Sequence, residues 1–143
     1  MLHTQRSYGG SCVAPHHLAA SAGRDVLKQG GNAVEAMVAA AAAIAVVYPH
    51  MNALGGDGFW LIHEPGKAPV AIDACGPAAQ LANRDFYSGE SQIPERGPKA
   101  TLTMAGTISG WQEALNVAAG WGSALPLPTL LADAIRHADE GIA

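Results

Sequence analysis

The chain has 143 residues, 49% of them hydrophobic and 14% charged, a balance that supports one packed domain and excludes a disordered polymer. Eight Lys and Arg against twelve Asp and Glu give a net charge of -4 with no basic run, so no nucleic-acid partner is expected. The longest apolar stretch, residues 36–47, stops at Tyr48-Pro49-His50, short of the roughly 20 residues that span a bilayer, so no membrane partner is expected either.

In chain order, Leu18, Ala22, Val26 and Leu27 recur at helical spacing, and Gly30-Gly31 supplies a stop; residues 18–29 are expected to form an amphipathic helix. Asn32 and Glu35 stand three apart, the spacing of a reciprocal capping box, which starts a second helix over residues 33–47. Because nearly every position of that helix is apolar, it is expected to be buried on all sides, with Pro49 as its terminator. Gly55-Gly56-Asp57-Gly58 signals a turn before a strand over residues 59–63. That strand is mostly apolar and is expected to be buried on both faces. Pro65-Gly66-Lys67 turns the chain into a partner strand over residues 70–73, closing an antiparallel hairpin. Residues 76–99 read as a surface excursion with one helical turn near Arg84 to Tyr87. Helices over residues 108–118 and 127–140 follow, the last with Pro128 near its start and Gly141 at its end. No repeat or linker divides the chain, so residues 1–143 are taken as one piece.

Cys12 and Cys75 lie far apart without CxxC or Cys/His spacing, which suggests neither a disulfide framework nor a zinc site and suits a reducing compartment. The first eleven residues carry no apolar core after Arg6, so a cytoplasmic location is expected. His16 and His17 are adjacent and therefore point about 100° apart on a helix, a poor arrangement for a shared metal; polar contacts at a helix entry are the default. The glycine cluster at 55–58 leads into a strand and not a helix, so it does not read as a phosphate loop. Ser11, Ser21 and Ser109 stand outside any GxSxG elbow and have no partner base assignable from spacing. No cofactor, metal or catalytic residue is assigned from the residues alone.

The order of motifs narrows what the physical reading leaves open. Val13-Ala14-Pro15-His16, residues 30–36 (GGNAVEA), Pro49-His50-Met51, Gly55-Gly56-Asp57-Gly58-Phe59, Ala105 to Trp111 (AGTISGW) and the segment from Leu125-Pro126 to Gly141 together resemble the γ-glutamyltransferase family over nearly the whole chain. The resemblance implies an α+β fold, the αββα sandwich of the N-terminal-nucleophile hydrolases. It also implies a precursor that cuts itself to expose a catalytic threonine at the start of a small subunit. Residues 1–143 would then be the N-terminal part of the large subunit, with the nucleophile outside this chain. The remaining large subunit, the small subunit and a small-molecule amide substrate would be its partners. A family arginine that grips the substrate α-carboxylate is expected just after the second strand, and Cys75 stands at that position. The substrate-binding candidates are thus Asp73, Ala74, Cys75 and Gly76.

Losing a guanidinium pair at position 75 would weaken a γ-glutamyl α-carboxylate by about 1.5–3 kcal/mol. Cys75, together with Asp57 inside the glycine cluster and Ala105 before Gly106, therefore points to a divergent branch acting on small amides of the oxamate kind. Two alternatives remain at this stage. One is a glutathione hydrolase whose arginine is displaced to Arg84 or Arg96. The other is a scaffold with the same fold and no catalytic role. The hairpin edges lead to the expectation that residues 1–143 by themselves are unstable or prone to association.

Overall fold

The computed structural model describes residues 6–100 and 104–142; the expectation of a cytoplasmic location rests partly on residues 1–5, outside that range. The elements are α1 (His17–Lys28), α2 (Ala33–Val47), β1 (Gly58–Ile62), β2 (Val70–Ala74), a single 3-10 turn at Pro98–Ala100, α3 (Thr107–Val117) and α4 (Leu127–Glu140). They fall into two compact units, one made of Met1–Leu54 with Trp111–Ala143 and one of Gly55–Gly110.

In the first unit α1 and α4 pack on α2. His16 caps α1, its Nδ1 accepting from the Leu18 amide at 3.3 Å, which is the helix-entry contact expected for this histidine pair. At the other end Gly30 takes φ +88°, while the Gly31 amide reaches back to Val26 and the Gly30 amide to Leu27. That is a Schellman closure, and it needs a residue able to adopt the left-handed conformation. Ala19, Ala22 and Ala43 form a fully packed contact between α1 and α2, flanked by Ala14 and Ile44. The small side chains let the helix backbones approach: a Cβ added at Gly23 would lie 2.8 Å from the Ala36 carbonyl oxygen. α2 is buried around most of its circumference, Val38 and Ala43 completely, although Met37 is 42% exposed, so the expectation of burial on every side gives way at that position.

The predicted capping box is present in full. Asn32 Oδ1 accepts from the Val34 and Glu35 amides at 3.0 Å each, and Glu35 Oε2 accepts from the Asn32 amide at 2.7 Å. Glu35 is only 3% exposed. Its carboxylate also accepts from the Leu125 amide at 2.8 Å and from the Ser123 hydroxyl. It therefore ties the start of α2 to the segment that leads into α4, whose entry carries Pro126 and Pro128 and no side-chain cap.

In the second unit β1 and β2 pair antiparallel with Trp60 opposite Ile72 and Phe59 opposite Asp73. The connection is a type II turn: Lys67 N–H donates to the Glu64 carbonyl at 3.0 Å and Gly66 sits at φ +83°, the position of that turn that favours glycine. Alternation along the strands puts Trp60, Ile62, Ile72 and Ala74 on one face. Phe59 and Leu61 lie on the other and are 71% and 79% exposed. The expectation of a strand buried on both faces is thus corrected: within this unit only one face is covered, because the two strands meet a packing layer on a single side. Gly110 in α3 supplies part of it, with no room for a Cβ beside Ala74 and Trp60.

Residues 76–99 are mostly exposed, and the expected helical turn is there, with the Tyr87 amide donating to Asn83 O at 3.3 Å and the Phe86 amide to Asn83 Oδ1 at 3.0 Å. The chain then returns so that two backbone segments lie against each other. A Cβ at Gly76 would fall 1.5 Å from Met104 O, and one at Gly106 would fall 1.9 Å from Ala74 O.

Two outcomes follow for thermal unfolding of the protein that carries this chain. Desolvation pushes the Glu35 carboxyl up, but its hydrogen bonds from Ser123, Asn32 and Leu125 outweigh that and hold it below the usual glutamate range. Its contribution is therefore complete above the unfolded value, about 4.3, and is lost as pH falls through the lower folded value. Glu35→Gln turns an amide N–H2 toward donors; it is expected to cost about 2 kcal/mol near neutrality and to flatten the acid limb of the stability profile. Gly106→Ala forces backbone apart and is expected to cost about 3 kcal/mol, whereas Gly55→Ala, where an added Cβ meets nothing within 4 Å, is expected to leave the melting temperature nearly unchanged.

Candidate functional site

The four residues singled out as a binding wall leave β2 at its end. Asp73 and Ala74 are the last residues of the strand, and Cys75 and Gly76 follow it. Asp73 Oδ1 accepts from the Cys75 amide at 3.0 Å, an Asx-type turn that bends the chain as it leaves the sheet. The Gly76 amide donates to Asp57 Oδ1 at 3.1 Å. Ala74 and Gly76 are the residues that lie against the 104–106 backbone.

The glycine cluster before β1 is part of the same arrangement. The Gly56 carbonyl accepts from the Gly106 and Thr107 amides at 3.0 Å each and from Thr107 Oγ1 at 2.8 Å. The Thr107 hydroxyl also lies 3.3 Å from the Asp57 carbonyl oxygen. Thr107 is 8% exposed and opens α3, so the helix start is fastened to the turn that precedes β1. Ser109 Oγ donates to Gly106 O at 2.8 Å, a local helix-entry bond that leaves it no nucleophile's geometry.

Cys75 is exposed. A hydrogen bond to Asp57 raises its thiol pKa most, with burial and the charges of Asp57 and Asp73 acting in the same direction. At neutral pH this position therefore presents a neutral S–H between two carboxylates, a poor nucleophile and a poor partner for a substrate carboxylate. Arg84 and Arg96, the candidates for a displaced cation, are exposed in the excursion, and no ion pair joins either to a described residue.

The other two candidate serines, Ser11 and Ser21, lie in the other unit. Ser11 and Ser21 line a concavity of about 300 Å³ with Arg6, Ser7, Cys12 and Arg24, and burial pushes the Cys12 thiol up. Among the described residues no group of three or more His, Cys, Asp or Glu is placed to hold a metal ion, and no helix is long and apolar enough to cross a membrane. The sequence pointed to residues 73–76 only as candidates, and it carried no sign that the glycine cluster and the Gly106-Thr107 segment join them. The bonds that join them connect positions up to 51 residues apart, a separation for which no periodicity gives a signal.

Comparison with known proteins places these features. The family model for gamma-glutamyltranspeptidase matches residues 19–143. The oxamate amidohydrolase proenzyme of Klebsiella pneumoniae is 60% identical over 134 residues, covering 93% of this chain and 25% of that protein. The glutathione hydrolase proenzyme of Escherichia coli is 33% identical over 145 residues, covering 99% of this chain and 24% of that protein. Among solved structures, the gamma-glutamyltranspeptidase of Helicobacter pylori superposes with a TM-score of 0.85 at 29% identity, over 99% of this chain and 40% of that one. The chain thus spans about a quarter of the length of these curated relatives. Its fold class is that of the N-terminal-nucleophile hydrolases, of which it supplies a mixed helix-and-strand part. The chain belongs to the γ-glutamyltranspeptidase family.

Proposed function

We propose that residues 1–143 are the first part of the large subunit of a self-processing amidohydrolase, and that its substrate is a small amide of the oxamate type. A threonine outside this chain, freed by cleavage of the precursor, attacks the amide carbonyl. The amine leaves with a proton, and water releases the acyl group from the threonine oxygen. Residues 73–76 form one wall of the acyl pocket. The observation that carries the substrate reading is the chemistry at position 75, where an exposed cysteine follows β2 and the Asp73 and Asp57 carboxylates accept from the Cys75 and Gly76 amides, in the place at which a γ-glutamyl enzyme needs a guanidinium. The likeness to a protein named oxamate amidohydrolase supports the same choice. The free state of Cys12 and Cys75 fits a reducing compartment, and we place the enzyme in the cytoplasm.

The intact mass of the product of the complete gene tests the first half of this reading. Two chains summing to the precursor mass, with threonine at the new N-terminus, are expected; one uncut chain would favour a scaffold without catalytic activity. Kinetics of the processed enzyme test the second half. Oxamate is expected to be turned over in preference to a γ-glutamyl anilide. Cys75→Arg is expected to raise kcat/KM for the anilide relative to oxamate by about tenfold, with Cys75→Ala close to the parent. Identical kinetics in all three proteins on both substrates would remove residues 73–76 from the pocket.

A further inference from the structure

Asp57 precedes β1 and Cys75 follows β2, so the hairpin carries the two to the same end of the sheet: Gly58 pairs with Ala74, and each residue lies one step beyond that pair. The Asp57 carboxylate turns toward the outgoing strand and accepts the Gly76 amide at 3.1 Å. Its own backbone is held from the other side, since Thr107 Oγ1 bonds the carbonyls of Gly56 and Asp57. Asp73 turns the Cys75 amide inward at 3.0 Å. The 73–76 segment is thus held by carboxylates at its Cys75 and Gly76 amides, and one of those carboxylates comes from outside the segment. Asp57 and Cys75 are both exposed, so the Asp57 charge is presented to whatever occupies that side.

We propose that Asp57 is a positioning and specificity-determining residue: its carboxylate holds the 73–76 segment through the Gly76 amide and turns away substrates whose carboxylate reaches that wall, as the remote α-carboxylate of a γ-glutamyl group would and the carboxylate of oxamate, bonded directly to the scissile carbonyl, would not. This rests on the reading of residues 73–76 as pocket wall. Asp57 acts through the segment it holds and through its field; it touches no reacting atom. A hydrogen bond to the same carboxylate pushes the Cys75 thiol up, with burial and the charges of Asp57 and Asp73 acting in the same direction.

The test uses the processed full-length enzyme with Asp57→Asn and Asp57→Ala. Asparagine retains an acceptor for the Gly76 amide without the charge, and alanine removes both. Alkylation of Cys75 by iodoacetamide, followed across pH by peptide mass, reports the Asp57 carboxylate at the thiol; both variants are expected to move its midpoint to lower pH. Asp57→Asn is expected to raise kcat/KM for a γ-glutamyl anilide about fivefold relative to oxamate. Asp57→Ala is expected to raise KM for both substrates about tenfold with kcat largely retained, and asparagine is expected to rescue KM for oxamate. An unmoved Cys75 midpoint in Asp57→Asn overturns the field, and a KM for oxamate in Asp57→Ala no higher than in Asp57→Asn overturns the clamp. A moved midpoint with KM and kcat/KM unchanged for both substrates in both variants overturns the specificity role and the pocket-wall reading beneath it.

Discussion

The Glu35 carboxylate, 3% exposed, is the interaction on which the helical unit depends. A buried carboxylate without partners would cost several kcal/mol, and here its oxygens accept from Asn32, Ser123 and Leu125. Two of those donors are the backbone amides at the entry of α2 and before α4, so the charge is satisfied only when both helices start where they do. Capping, usually a local device, acts here at long range: the residue that closes the first turn of α2 also fixes the approach to α4. The alanine-rich face of α2 is packed closely by α1 because Ala19, Ala22 and Ala43 put little side-chain bulk between the two backbones.

The Gly55–Gly110 unit follows a different principle. Its organisation comes from backbone laid against backbone, at Ala74 to Gly76 and at Met104 to Gly106, with no side chain between. Hydrogen bonds from Thr107 and its neighbour to a single carbonyl, that of Gly56, hold the closing segment. Such an arrangement leaves the side chains after β2 free to face outward, which makes the end of this strand suited to carry recognition groups while the glycines beside it carry the structure.

Much of this was legible in the residues. Asn32 and Glu35 announced α2 to the residue, and Pro65-Gly66 announced the hairpin, because both are local devices with fixed spacing. The family was legible from the order of six short motifs. What escaped was every relation across long separations: that Glu35 also serves Ser123 and Leu125, that Asp57 reaches Gly76, and that Gly56 gathers the entry to α3. The strand at residues 58–62 misled because an unbroken apolar run reads as buried on both sides, whereas only the Trp60 and Ile62 face is covered within its unit. The exposure of Phe59 and Leu61 depends on what packs beside the strand, a property the run of residues does not carry.

The Glu35 cluster also has a consequence for the order in which the chain comes together during synthesis. Its donor at Leu125 lies 90 positions downstream. At a ribosomal rate of 5–20 residues per second, the carboxylate waits on the order of ten seconds for that amide to emerge. In that interval Glu35 has only its capping partner and remains hydrated, so α1 and α2 can pair along their alanine faces but cannot bury the start of α2. Final closure of the helical unit is therefore timed by the arrival of a loop, and the polar anchor delays burial until the segment that satisfies it has been made.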